Sequence, residues 1–402
     1  MDSAMIAGTP VFDLDDAASL EAADTGGALR SAASAGAQVR ATAAAITESA
    51  FTRRLGDLRP RSLVLVSGSG RAARAAGLLV AALADRAGLP IVPVSALPPW
   101  VGPLDVVLVA GDDAGDPRLI DAVDRGLRRS AEVVVAAPDE GPLRAVTAGR
   151  AVVLEPRVPV LAHNHLLRFL AVGLAVLGTV DAQRSGALVP DLAELADVLD
   201  AEALRDGPHH ESFHNPAKNL AGRMSDRGIV LAGDTPATTE LAGHAADVLL
   251  QAAGRPATAV GLSDAIAAHA RLVESAGTAA PDFDPLFHDE ELDGPAPVER
   301  VRVFALSTAA DRSATRRRLA VFGGAGGGLV DADLVHTESD ALPAEGAPSP
   351  EGASAAAAGG GGEIEQLAVL ALRLEMAAAY LRLTAGRGVA APAPEAYDGG
   401  HY

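Results

Sequence analysis

The sequence predicts an α/β protein with two similar domains, each a parallel, doubly wound sheet between layers of helices. Short apolar, β-branched segments alternate with amphipathic helical segments along most of the 402 residues. That alternation is typical of a parallel sheet covered on both faces. The plan also occurs twice, because "SLVLVSGSGRAARAAGLLVAALA" and "GIVLAGDTPATTELAGHAADVLL" each read as a strand, a turn of small residues and a helix.

The first half of the chain predicts five strands. A helical pattern runs from Ala28 to Leu55, and a long apolar helix from Val160 to Val180 closes this half. Between them, short β-branched runs bounded by turn residues indicate buried strands. These strands are "SLVLVS", "LPIVPV", "LDVVLVAG", "AEVVVAAP" and "AVVLEP", with helices between them.

The second half repeats the pattern with four strands. Helical patterns at Leu192 to Arg205 and Asn215 to Asp226 precede them. A low-complexity run, rich in Ala, Gly and Pro, then leads to the amphipathic segment "IEQLAVLALRLEMAAAYLRLTAG", which predicts a docked C-terminal helix. The predicted strands are "RGIVLAG", "PATAV", "ERVRVFALS" and "GGLVDADLVHTE".

These patterns divide the chain into six segments. We expect an acidic arm over 1–27, a first domain over 28–188 and a second domain over 189–340. A flexible linker is expected over 341–362, followed by a helix over 363–386 that packs on the second domain. The tail, 387–402, is expected to fray.

Composition excludes several classes of function. Hydrophobic residues make up 49% of the chain and charged residues 21%, which fits a globular core, while the net charge of −19 argues against nucleic acid and anionic membranes as partners. Cysteine is absent, so there are no thiolate ligands or nucleophiles. The N-terminus has no signal-peptide pattern, and the run Phe169 to Val180 is shorter than a membrane span. A cytoplasmic protein is expected.

Two loops should lie at the carboxyl edge of the first sheet, where parallel sheets bind ligands. The first, "SGSGR", offers backbone amides, hydroxyls, an arginine and a helix N-terminus, all suited to an anion. A short structural turn is the alternative, because Ala73 replaces the third glycine of a dinucleotide fingerprint.

The second loop, "AGDDAGDPR", contradicts an anion site by its charge. One carboxylate about 4 Å from a phosphate repels it by about 4 kcal/mol at an effective dielectric of 20. An acidic surface loop with Asp116 capping the next helix is one interpretation, and a magnesium site formed by Asp112, Asp113 and Asp116 is another. The histidines, including "HNH" at His163 to His165, show no metal-ligand spacing, so no metal or other cofactor is predicted.

The segment "FHNPAKNLAGRMSDRGIVLAGDTPATTELAGHAADVLLQAAGRPATAVGLSDA" resembles the second domain of the bifunctional phosphoglucose/phosphomannose isomerases. That family has two sugar-isomerase (SIS) domains. "NPAK-LA" is the most specific match, and "VSGSGRAA", "GPLRAV" and "LDGP" follow the family order. Within that family, the chain resembles the divergent TobH-like members. The resemblance implies SIS-type three-layer domains from Ala28 to Gly386, and homodimers.

The positions at which this chain departs from the family pattern imply that the isomerase chemistry is lost. Where the family holds the sugar phosphate with "SYSGNTEET", this chain has "GDDAGDPRL". The family glutamate that moves the proton between C1 and C2 corresponds to Gln251, whose amide is not a general base at neutral pH. His269 is the available counterpart of the ring-opening histidine, and the family's C-terminal lysine has none, since Lys218 is the single lysine. The expected phosphosugar-binding residues are Ser67, Gly68, Ser69, Gly70, Arg71, Asp113, Gly115 and Asp116.

Three functions therefore remain open at the level of sequence. The first is a SIS-fold protein that binds a phosphosugar or related carbohydrate without isomerising it. The second is an active aldose–ketose phosphosugar isomerase with rearranged residues, using Asp113, Asp116 or His269. The third is a structural subunit with a vestigial site.

Overall fold

The first domain contains a five-stranded parallel sheet with strand order β2-β1-β3-β4-β5. The structure is a computed structural model, and it describes residues 13–276, 299–309, 312–323, 328–337 and 362–384. Strands β1 and β3 are buried along their whole length, as their continuous apolar sequences predict. The strands are β1 (Ser62–Ser67), β2 (Ile91–Val94), β3 (Asp105–Ala110), β4 (Glu132–Ala136) and β5 (Val152–Val153).

The second domain contains a four-stranded parallel sheet with the order β7-β6-β8-β9. This order is that of the first four strands of the other sheet, so the predicted internal repeat is confirmed. The strands are β6 (Gly228–Gly233), β7 (Ala257–Gly261), β8 (Val301–Leu306) and β9 (Val330–Val335).

Helices cover both faces of each sheet, which confirms the predicted α/β class. Those before and within the first domain are α1 (Ala17–Ala23), α2 (Ala28–Ala33), α3 (Ala35–Glu48), α4 (Phe51–Leu55), α5 (Gly70–Leu83), α6 (Pro117–Arg128), α7 (Gly141–Thr147), α8 (Leu166–Val180) and α9 (Ala182–Ser185). The later ones are α10 (Leu192–Arg205), α11 (Pro216–Met224), α12 (Pro236–Ala253), α13 (Leu262–Ala267), α14 (His269–Ala276), α15 (Ser313–Leu319) and α16 (Glu363–Thr384).

The two domains share one hydrophobic core. Helix α5 packs on both α8 and α12, and α12 packs on α16, so the inner faces of both sheets belong to a single buried cluster. Two smaller clusters lie on the outer faces of the sheets. Alanine at the helix contacts lets the helices approach closely, which is how a chain with few aromatic residues fills this volume.

Helix α16 is buried on almost every side, which its sequence does not reveal. It packs on α11 and α12 of the second domain and also on α10 and α2. Its Tyr380 hydroxyl donates to the carbonyl of Asp206 at 2.7 Å, at the end of α10. Burial raises the pKa of the Asp206 carboxyl to about 7, and the neighbouring Glu202 charge acts in the same direction.

Three regions differ from the sequence prediction in detail. The segment predicted as an arm contains α1, whose Leu20 is fully buried. The helical pattern from Ala28 to Leu55 is divided among α2, α3 and α4, and the predicted helix from Val160 begins with a 3-10 turn at Ala162–Asn164. Nearly all of the predicted linker, 341–362, and the tail, 387–402, lie outside the described residues.

One helical stretch in the described residues is long and apolar enough to cross a membrane. It spans Ala162–Val180 and includes α8. Most of it is buried, because α8 packs on α5 and α3. Its apolar character is therefore accounted for by its position in the core.

Replacement of Gly233, at the end of β6, is predicted to destabilise the protein. A Cβ there would lie 2.1 Å from the backbone nitrogen of Thr239, because α12 crosses close to the strand. Gly233→Ala should lower the free energy of unfolding by about 1–3 kcal/mol, as overpacking does. Gly102→Ala is the control, since a Cβ there meets nothing within 4 Å. Equal urea-denaturation midpoints for the two variants would contradict this close approach.

Candidate functional site

The two predicted loops meet at the carboxyl edge of the first sheet. Strand β1 lies between β2 and β3, so the strand order reverses there and leaves a crevice. Ser67 at the end of β1 is in register with Ala110 at the end of β3. A Cβ on Gly68 would lie 2.9 Å from Asp116 Oδ2, which shows how closely the loops approach.

The first loop presents the N-terminus of α5 without a side-chain cap. Ser69 is the extended N-cap residue, and its hydroxyl accepts no hydrogen bond from the helix amides. Gly70 has φ +69°, a left-handed conformation that favours glycine. Ser67 is buried, whereas Ser69 and Gly70 are exposed. The start of this uncapped helix therefore reaches solvent at Ser69 and Gly70, where the helix end carries a partial positive charge.

The carboxylates of the second loop are largely satisfied by near neighbours. Asp113 Oδ1 accepts from the Gly115 amide at 2.7 Å, and Asp116 Oδ1 caps α6 by accepting from the Arg118 amide at 2.8 Å. Hydrogen bonds from Arg118 hold the pKa of Asp116 below its ordinary value. The capped-loop interpretation is thus supported, and the charges of Asp113 and Asp116 are engaged within the loop itself.

Asp112 lies near two basic side chains at the start of α8, His165 and Arg168. His165 Nδ1 lies 2.6 Å from Asp112 Oδ1, a contact that lacks hydrogen-bond alignment. Arg168 is buried and donates to the Leu154 carbonyl at 2.7 Å; burial lowers its pKa to about 10, while the Asp112 charge opposes that shift. Among the described residues, no group of three His, Asp or Glu side chains is placed so that it could hold a metal ion.

Arg71 points away from the loop and into the contact between α5 and α12. It is only 3% exposed, and its guanidinium contacts His244 Nδ1 at 3.0 Å and Asp247 Oδ2 at 2.9 Å. Arg74 donates to the same Asp247 oxygen at 2.9 Å. Burial raises the pKa of Asp247, but Arg74 and Arg71 outweigh it and hold that pKa below its ordinary value.

A buried hydrogen-bond chain continues from Arg71 to the C-terminal helix. His244 Nε2 lies 2.8 Å from Glu375 Oε1, and Asn164 Nδ2 donates to Glu375 Oε2 at 2.7 Å. Ser31 in turn donates to Asn164 Oδ1 at 2.7 Å. Because arginine can only donate, we assign His244 Nδ1 as the acceptor and Nε2–H as the donor to Glu375.

Gln251 lies at the same end of this helix pair as the glycine loop. Helices α5 and α12 run antiparallel, since Arg71 meets Asp247 whereas Gly77, further along α5, approaches Glu240. Gln251 is one turn beyond Asp247 on the same face of α12 and is exposed. The position that the resemblance aligns with the family glutamate therefore lies at the end of this helix pair where α5 begins, and it carries an amide.

His269 lies in the second domain. It begins α14, and its ring packs edge-on against Phe322 at 5.3 Å between centroids. Its buried Nε2 has no hydrogen-bond partner among the described residues. The structure thus brings Ser67 to Gly70, Asp113, Gly115, Asp116 and the Gln251 end of α12 to one region. It does not bring His269 into a described contact with them.

Comparison with known proteins identifies the fold. No protein-family model and no curated protein matches the chain. A hypothetical protein from Thermus thermophilus superposes with a TM-score of 0.57 at 13% identity, covering 92% of this chain and 89% of that one. The C-terminal domain of glucosamine-fructose-6-phosphate aminotransferase from Francisella tularensis gives 0.52 at 9% identity, covering 89% and 95%.

A third structure, from Clostridium difficile and provisionally assigned as a phosphosugar isomerase, gives a TM-score of 0.53 at 11% identity, covering 78% of this chain and 84% of its own. The chain has a double SIS fold. At these identities the likeness concerns the fold alone, so membership of the bifunctional phosphoglucose/phosphomannose isomerases stays a prediction. The same is true of the homodimer and the cytoplasmic location.

The partners of several residues near the crevice and in the buried contact between α5 and α12 cannot be predicted from the sequence. His163 and His165 stand in a noticeable "HNH" motif, but their neighbours Glu375 and Asp112 are remote in the chain. His244, Asp247 and Glu375 lie within helical patterns and look like ordinary helix residues. Their contacts form only when α5, α12 and α16 pack together, and no local sequence pattern predicts that packing.

Removal of Glu375 is predicted to destabilise the protein strongly. Glu375→Ala would leave His244 and Asn164 without their buried partner, a loss of about 3–5 kcal/mol in the free energy of unfolding. Glu365→Ala, on the same helix with a partly exposed side chain, serves as the control. Similar chemical-denaturation curves for both variants would show that the buried chain contributes little.

The stability of the protein is predicted to fall in mild acid through His163. Burial lowers the pKa of His163, and nearby Arg71 acts in the same direction, although Glu375 opposes it. The unfolded chain then binds the proton more readily, so stability decreases as pH falls below about 6.5. His163→Gln should reduce the difference between urea midpoints at pH 7.5 and 5.5, whereas His210→Gln, at an exposed site, should leave it unchanged.

Proposed function

We propose that this protein binds a phosphosugar or related carbohydrate derivative at the carboxyl edge of its first sheet and does not isomerise it. The observation that carries the proposal is the uncapped N-terminus of α5, which opens into the crevice at the strand-order reversal. The fold supports this assignment, because it is shared with structures provisionally assigned as phosphosugar isomerases.

The phosphate group is assigned to the first-turn amides of α5. Ser69 and Gly70, at the start of α5, are exposed, and helix N-termini attract anions through amide dipoles. The carboxylates of Asp113 and Asp116 already accept hydrogen bonds, so their charge is partly compensated. Arg118, which is 53% exposed in its side chain and paired with Asp116, supplies a cation at the loop. Arg71 would first have to leave Asp247 and His244.

The absence of isomerisation is argued from the groups at the crevice. Proton transfer between C1 and C2 needs a base, and Gln251 offers an amide. Asp247 on the preceding turn is held by two arginines, which stabilise its ionised form and weaken it as a base. Asp116, an alternative base in an active isomerase, is committed to capping α6.

The direct test uses purified protein with glucose 6-phosphate or mannose 6-phosphate. We expect either ligand to raise the melting temperature, because a ligand that binds the native state stabilises it. We also expect no conversion to fructose 6-phosphate in a coupled assay. Turnover would instead support the active isomerase, and neither a thermal shift nor turnover would support a structural subunit.

Ser69→Asp locates the phosphate on the protein. An aspartate there can cap α5 itself, so the variant should be at least as stable as the parent protein. Its carboxylate would occupy the anion site, and the thermal shift with glucose 6-phosphate should be lost. Thr52→Asp adds the same charge on α4 and should retain the shift. An unchanged shift in Ser69→Asp would place the ligand elsewhere.

A further inference from the structure

A second cavity borders α16 at Met376, the residue that follows Glu375 in the chain. It has a volume of about 520 Å³, within the range of small-molecule sites. Its floor includes the buried side chains of Leu29 and Met376. Helices α1 and α2, the end of α10 and the loop between α10 and α11 form its walls.

The loop wall of this cavity is fixed from the inside. Lys218 is fully buried, and its Nζ donates to the carbonyls of Pro208 and His210, both at 2.7 Å. Asn215 Nδ2 donates to the Gly207 carbonyl at 2.9 Å. These bonds satisfy the loop backbone away from the cavity. The shape of this wall is therefore held before any ligand binds.

The charged groups around the cavity are of both signs. Asp24 accepts from the amides of Ala28 and Leu29, at 2.6 and 3.0 Å, and burial raises its pKa. Glu21 lies 3.0 Å from His209 Nε2 in an exposed pair. Arg30, in contrast, has no ion pair or side-chain hydrogen bond within the part of the chain that the structure describes.

An unpaired arginine beside two carboxylates restricts the ligand. Guanidinium groups bind carboxylates in a bidentate manner, so Arg30 favours a ligand carboxylate. A ligand with negative charge alone would face Asp24 and Glu21, and one with positive charge alone would face Arg30. A zwitterion satisfies both sets, and the apolar floor adds a preference for a hydrophobic substituent.

We propose that this cavity binds an α-amino acid with an apolar side chain. The carboxylate pairs with Arg30, and the ammonium group faces Glu21 and Asp24. The side chain lies on Leu29 and Met376. This site is separate from the proposed phosphosugar site, and its occupation does not depend on that function.

The test measures binding of leucine, methionine and phenylalanine to the full chain by calorimetry. At least one should bind, and its affinity should exceed those of its deaminated and decarboxylated analogues by about tenfold each, the loss expected for one charge-assisted contact. For leucine these analogues are isocaproate and isoamylamine. If none of the three amino acids binds, or if an analogue binds as tightly as its parent amino acid, the proposal is overturned.

Two variants assign the contacts. Arg30→Gln should weaken the amino acid about tenfold and leave the amine analogue unaffected, whereas Glu21→Gln should weaken both. Arg53→Gln, an exposed change on α4 outside the cavity, should leave all affinities unchanged. The response of Arg30→Gln to glucose 6-phosphate should stay that of the parent protein, which separates a failure here from a failure of the proposed function. Unchanged amino-acid affinity in Arg30→Gln would refute the assignment.

Discussion

The contact between α5 and α12 is the constraint on which the rest of the molecule depends. It joins the two sheets and buries Arg71, so an ionised side chain sits where two halves of the chain meet. Burial of such a charge is costly unless its donors are satisfied. Asp247 and His244 satisfy them from the second domain. The relative position of the domains is therefore tied to a specific set of hydrogen bonds as well as to apolar packing.

Helix α16 links this domain contact to α10 and to the second cavity. Glu375 accepts from the network at the domain contact, while the neighbouring Met376 forms part of a separate cavity. Arg373 on the same helix is buried and donates to Glu202 of α10 at 2.9 Å. A helix with buried residues on nearly every face has to form specific polar contacts, because each buried charge needs a partner.

The sequence predicts the elements of this fold better than their contacts. Helix α10 is predicted with its observed bounds, Leu192–Arg205, since Asp191 caps it and its apolar positions recur at helical spacing. The sequence predicts doubly wound parallel sheets but not the order of the strands within them. The sequence does not predict the 3-10 turn at Ala162–Asn164, because this turn depends on contacts with α5 and α12, which are distant in the chain. The glycine loop was located from local sequence, whereas the partners of Arg71 lie more than 170 residues away.

Lys218, the single lysine of the chain, also has a chemical consequence. Its ammonium group is enclosed by two carbonyls and lies 5.7 Å from the centre of the Tyr380 ring. In the folded molecule an acylating reagent or a lysine-specific protease cannot reach it. Modification of this side chain would require the packing contact between α11 and α16 to open. The reactivity of Lys218 would therefore report that local opening without any engineered label.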